Sequence, residues 1–169
     1  DLPIVGLESE GKSIPSPGTA WDQEENASEY LQHFEDIIHR THELTRSDGA
    51  WRYISTKDLS DDEIHPLNYG YSNLGQLLLL SSHVEARRGQ SERAYEDLMA
   101  VLRIVDAGQF EAEWDSVGLL ARIHSLASIS AARLSVVCNW TDQQLADLQT
   151  ALAQADFKSR MKRAYMGEV

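Results

Sequence analysis

The apolar residues of this chain recur at three- and four-residue intervals and never alternate over a strand's length, which restricts it to helices. Residues 91–107 carry Ala94, Tyr95, Leu98, Val101, Leu102 and Val105 on one stripe. Residues 68–88 carry Leu74, Leu77, Leu78, Leu80 and Val84. Gly89 stops the earlier helix and Ser91 caps the later one. A connection this short makes the two helices antiparallel neighbours.

The same reading covers most of the chain. A first helix is expected over 23–46, with Tyr30, Leu31, Phe34, Ile37, Ile38 and Leu44 on a single buried face and Gly49 as its stop. A helix over 115–138 is apolar or small on most sides, from Leu119 and Leu120 to Leu134 and Val137. Ser125, Ser128, Ser130 and its alanines let other helices approach, so it is expected at the centre. Thr141-Asp142-Gln143-Gln144 is a capping box. The helix behind it turns Leu145, Leu148, Ala151 and Leu152 inward, and Asp156 caps a final helix carrying Phe157, Met161, Ala164 and Tyr165.

Two segments lack this period. Residues 1–22 hold Pro3, Pro15 and Pro17 with Gly6, Gly11 and Gly18, and read as an extended lead anchored by Ile4, Val5, Leu7 and Ile14. Residues 47–68 form a long connection. Within it Ser60-Asp61-Asp62-Glu63 reads as a capping box opening one turn, which Pro66 ends. The fold class is therefore all-α, built from antiparallel αα-hairpins, as a helical repeat or an irregular bundle. One helical domain spans 23–169 behind the lead, and its C-terminus reads as cut short.

Charge narrows the partners. Fifteen Lys and Arg stand against twenty-seven Asp and Glu, a formal net charge of −12. A phosphate backbone or an anionic membrane would be repelled, so no nucleic acid is expected. Membrane insertion is not expected either, because the longest apolar stretch contains Arg122, His124 and Arg133. The acid is uneven: residues 1–25 hold six acids and one base, whereas Lys158, Arg160, Lys162 and Arg163 make the end basic. The two ends could meet, within a chain or between copies. A single cysteine, Cys138, excludes an intramolecular disulfide and reads as a buried, inert thiol. The chain begins at Asp1 rather than Met, consistent with a removed signal or anchor and an extracytoplasmic location.

The segment Glu85 to Val101 resembles the centre of a tetratricopeptide repeat. Gly89 stands at its hairpin turn, Ala94 at its small position and Leu98 at its large apolar one. Val101 replaces a smaller residue, and Ser81, Ser82 and Glu85 replace the leucine, glycine and tyrosine of the first helix. The match is one TPR-like half-repeat. A broader resemblance rests on Glu25-Asn26-Ala27, Ala94-Tyr95-Glu96-Asp97-Leu98, Asp142 to Gln149 and Tyr165-Met166-Gly167-Glu168. These look like a group of uncharacterised helical proteins of bacterial Planctomycetes and Verrucomicrobia, often tethered by an N-terminal hydrophobic segment. That group implies a fold and no activity.

Candidate chemistry lies on the first helix. Asp36, His39 and His42 step by three, and Glu35, His39 and Glu43 by four, so one face offers carboxylate and imidazole as a metal site on a bundle requires. A di-iron bundle needs a second Glu-x-x-His, and His83 and His124 have no carboxylate three or four residues before them. A solvated amphipathic face accounts for the pattern more simply, and no cofactor is expected. The acids at 58 and 61–63 lack calcium-loop spacing. Gly70-Tyr71-Ser72-Asn73-Leu74-Gly75 is one residue off a hydrolase elbow and reads as a helix start. Ser9-Glu10-Gly11-Lys12 spells Ser-x-x-Lys inside the lead, where chance explains it.

Aromatics supply the candidate partner surface: Trp51, Tyr53, Tyr69 and Tyr71. Trp114 and Trp140 read as seals at the ends of helical layers. The leading expectation is a non-enzymatic helical scaffold that binds a protein, a peptide or another copy of itself. The alternative is a metal-dependent or hydrolytic enzyme using Asp36, His39 and His42.

Overall fold

A computed structural model describes residues 14–16, 18–46, 61–107 and 114–157, together with 159, 162 and 165. Among the described residues the architecture is all-helical: α1 (Glu24–Gln32), α2 (Glu35–Arg46), α3 (Asp61–Arg87), α4 (Ser91–Ala107), α5 (Trp114–Leu134) and α6 (Asp142–Ala153). Trp51 and Tyr53 lie outside the described residues.

The α3–α4 hairpin forms where the spacing predicts it. Gly89 takes φ +75°, the left-handed conformation that a side chain resists. Its amide donates to Ala86 O at 3.0 Å, and the Gln90 amide donates to Glu85 O at 2.9 Å. This pair of bonds is a Schellman ending, and it satisfies carbonyls that α3 would otherwise leave open. Gly89→Ala should lower stability by about 1 kcal/mol, read as a shifted urea midpoint with unchanged slope.

The central helix is α4, not α5 as its composition suggested. It packs against α2, α3, α5 and α6. Ala94, Asp97, Leu98, Ala100, Val101, Leu102, Ile104 and Val105 are buried, so most of its circumference is covered. On α5, Ile129 is exposed, and the helix stops at Leu134 rather than Cys138. The amides of Val137 and Cys138 both fold back on Leu134 O. Val136 and Val137 are left exposed beyond that turn. Gly75 sets the α3–α5 distance: a Cβ there would stand 2.9 Å from Ile123 Cγ2. Gly70 to Gly75 therefore lie inside α3 rather than at its start.

Pro66 does not end a turn, because α3 runs unbroken through it from Asp61. Pro66 is the sixth residue of this helix, past the first four amides that lack an acceptor, so α3 continues through it at the cost of the bond to Asp62 O.

The expected single helix over 23–46 is two helices, and the reason is local. In an uninterrupted helix the His33 amide would donate to Glu29 O. Here the His33 ring Nδ1 lies 2.8 Å from that oxygen, and the amide donates instead to Tyr30 O. Phe34 likewise bonds to Leu31 O, so one tight turn separates α1 from α2. The turn rotates α2, and the inward set changes with it. Ala27 and Leu31 face inward on α1; Ile38, Thr41, His42 and Thr45 do so on α2. Tyr30, Ile37 and Leu44, expected inside, are exposed. Thr41 Oγ1 donates to Ile37 O at 2.7 Å and Thr45 Oγ1 to His42 O at 3.3 Å, so these buried hydroxyls are satisfied.

The α5–α6 connection is fastened to α4. Trp140 Nε1 donates to Ser91 O at 2.9 Å, and the Asn139 amide donates to Ser91 Oγ at 3.2 Å. Ser91 thus receives the next hairpin, while the Ala94 amide closes the first turn on Gln90 O. The Thr141–Gln144 capping box is present. Asp156 Oδ1 accepts from the Ser159 amide at 3.1 Å, the capping role its position implied.

The described part of the N-terminal lead reaches the core. Ile14 is 2% exposed within the main hydrophobic cluster, and Trp21 packs against that cluster. Arg87 holds the lead down. Its Nε donates to Glu24 Oε2 at 2.9 Å, its Nη2 to Thr19 O, and its guanidinium lies over the Trp21 ring at 5.6 Å. Ile4, Val5 and Leu7 fall outside the described residues. Glu24 thus meets α3. No helix among the described residues is long and apolar enough to cross a membrane.

Candidate functional site

Because α2 turns its Ile38–Thr45 face toward α4, a cleft of about 450 Å³ opens between α1–α2 and the α3–α4 hairpin. At its base lies one buried acid. Asp97 sits on the apolar face of α4, one turn from Ala94 and from Val101, and is 2% exposed. Its Oδ1 lies 2.8 Å from His42 Nε2, joining α2 to α4 across 55 positions of sequence. Burial raises the Asp97 pKa above the ordinary carboxylate value. The His42 ring and the nearby Ser81 hydroxyl pull the other way without cancelling it. Oδ2 has no hydrogen-bond partner among the described residues.

Charged side chains rim the cleft in alternating sign. Arg46 pairs with Glu96, Arg88 with Glu85 at 3.4 Å, and Arg93 with Glu85 at 3.8 Å. His39 and Glu35 line the outer edge. The rim therefore carries charges of both signs.

The three candidate metal ligands are not brought together. His42 is turned inward on Asp97. His39 is exposed, with Nε2 3.4 Å from Glu43 Oε1 on the same helix, and Asp36 is exposed. Among the described residues no three metal-capable side chains converge. Of the aromatic candidates, Tyr71 is half-buried against the core of α3. Tyr69 lies in the same helix. Trp140 seals the α4–α6 end of the layer. The Cys138 thiol is buried, and burial pushes its pKa up, as an inert thiol requires.

Sequence reasoning missed Asp97 as a site residue. The signal was available: it is the one acid on the buried stripe of α4. Its partner was not, because which face of α2 points inward depends on the His33 turn.

A second buried histidine sits between α3 and α5. His83 Nε2 lies 3.0 Å from Ser130 Oγ. Burial, with Arg133 and Arg87 nearby, lowers its pKa from 6.5 to about 4. The folded state therefore resists protonation that the unfolded chain accepts. Stability from this group is complete above pH 6.5 and falls away as pH drops toward 4, by about 3 kcal/mol. Asp97, whose pKa is raised, works in the opposite direction. Urea unfolding of the wild type and His83→Gln across this window isolates the histidine, and the variant should lose most of the acid slope.

No family model, no curated protein and no solved structure matches the chain.

Proposed function

We propose that this chain is a non-enzymatic helical scaffold, TPR-like in its hairpins, that takes a peptide segment of a partner protein or of another copy. The observation carrying this reading is the cleft between α1–α2 and the α3–α4 hairpin, with its charged rim. Helical hairpins characteristically present such concave faces to extended ligands. Alternating charge at the rim sets register and orientation, while the buried Leu31 and the half-buried Ile38 offer apolar contact deeper in.

One observation favours a second reading. The carboxylate of Asp97 orients the His42 ring, which is the arrangement of a general acid–base pair. The hydrolytic alternative would use His42 with Asp97, and a metal-dependent one would recruit Asp36 and His39.

Panning a random dodecapeptide library against the full chain tests the first reading. Enriched peptides should weaken at least tenfold when Arg88 and Arg93 are both changed to Glu. Peptides that bind the double variant equally well, or no enrichment at all, would remove the cleft from consideration. Melting the same protein with Zn²⁺, Mn²⁺ or Fe²⁺ should leave its midpoint unchanged. Tight stoichiometric uptake of one of these ions would favour the enzyme instead.

A further inference from the structure

A separate cavity of about 190 Å³ lies beneath the N-terminal lead, between Pro15 and Gly18 on one side and α3 and the end of α5 on the other. Arg87 lines it. The Arg87 side chain is only 10% exposed, and two of its nitrogens hold Glu24 and Thr19. The third, Nη1, is buried with no hydrogen-bond partner among the described residues. A buried donor on a cation is costly to leave empty, so the surroundings should provide an acceptor. The neighbouring cavity is the place from which one can come.

The walls decide what kind of acceptor. Ala86, Leu134 and Val137 present aliphatic surface. His83 also lines the space, but its lowered pKa keeps it uncharged at neutral pH. Arg133 stands close enough to act on His83 electrostatically, adding a second cation to the neighbourhood. The volume is below the range of pockets for drug-sized molecules and excludes a peptide. A dianion such as phosphate would lose its hydration against the aliphatic walls. A single carboxylate matches the guanidinium's planar donors, and a short alkyl tail matches the rest.

We propose that this cavity binds a small aliphatic monocarboxylate, its carboxylate on Arg87 and its tail against Ala86, Leu134 and Val137. The ligand would complete the clamp that fastens the lead to α3. Occupancy would therefore stabilise the ordered lead together with the fold.

The test uses the full chain and sodium butyrate, with sodium chloride and butylammonium chloride at matched ionic strength. Butyrate should raise the melting temperature in a saturable way, and the two controls should not. Ala86→Leu fills the cavity while keeping Arg87 and its clamp. It should melt near the wild type without ligand and bind butyrate at least tenfold more weakly. Amide shifts on butyrate titration, followed by NMR in the wild type, should concentrate at residues 18, 83, 86–87, 134 and 137. Equal shifts with chloride, no saturable response, or amide shifts centred elsewhere would overturn the assignment. The first of these outcomes would mean a general salt effect, the second a site filled by water.

Discussion

His42→Ala should destabilise the fold at neutral pH by about 3–5 kcal/mol, although it removes a side chain that is partly exposed. The reason is what it leaves behind. Asp97 lies on the central helix α4, with one oxygen on His42 and the other without a partner among the described residues. Without the imidazole that carboxylate faces the apolar face of α4 alone. Its pKa, raised even with His42 in place, would rise further, and the chain would fold only by taking up a proton. The sign follows: a raised folded pKa gives stability at low pH that is lost as pH increases. The deficit of His42→Ala should therefore shrink as pH falls toward 4.5. A double variant, His42→Leu with Asp97→Leu, exchanges the pair for apolar groups and should recover most of the loss, because breaking such a pair costs more than replacing it. Urea unfolding of the three proteins at pH 7 and pH 4.5 measures all of this. A His42→Ala variant as stable as the wild type at pH 7 would show that the pair carries no structural weight.

Much of the fold was legible because helices declare themselves through local spacing. The α3–α4 hairpin follows from Gly89 and two apolar stripes, and the start of α6 from a four-residue capping box. What failed were statements that depend on rotation or on enclosure. The stripe of Tyr30, Ile37 and Leu44 has good helical spacing, but the helix is split at His33, whose ring bonds to a backbone oxygen, and all three residues are exposed. Threonines at 41 and 45 then take the inward places, satisfied by their own backbone. Centrality was misjudged for a related reason. The helix over 115–138 is the more apolar segment, but α4 is touched from more sides, and contact depends on topology rather than composition. The candidate site suffered from the same gap. His42 was singled out for its neighbours along α2, whereas its partner comes from α4.

Ile14→Ala is the second large effect, about 4 kcal/mol, and it bears on the lead. Composition alone marks this segment as a mobile tail, with prolines, glycines and no helical period. Ile14 is nevertheless 2% exposed, which ranks it among the most enclosed large side chains of the chain. Truncating a fully enclosed isoleucine removes its transfer free energy and leaves a cavity that the surrounding core can only partly close. For a chain of this size the melting temperature should fall by roughly 10 °C. The polar half of the attachment can be separated from the apolar half. Glu24→Gln removes the charge that Arg87 Nε meets but leaves Ile14 and Trp21 in place, so it should cost about 1 kcal/mol. If the apolar anchor dominates, Ile14→Ala should also open residues 18–22 to limited proteolysis, while Glu24→Gln leaves them protected. A melting temperature unchanged by Ile14→Ala would mean that the lead contributes nothing to the core. The clamp of Arg87, Glu24 and Thr19 would then be a surface contact rather than the fastening of a buried segment.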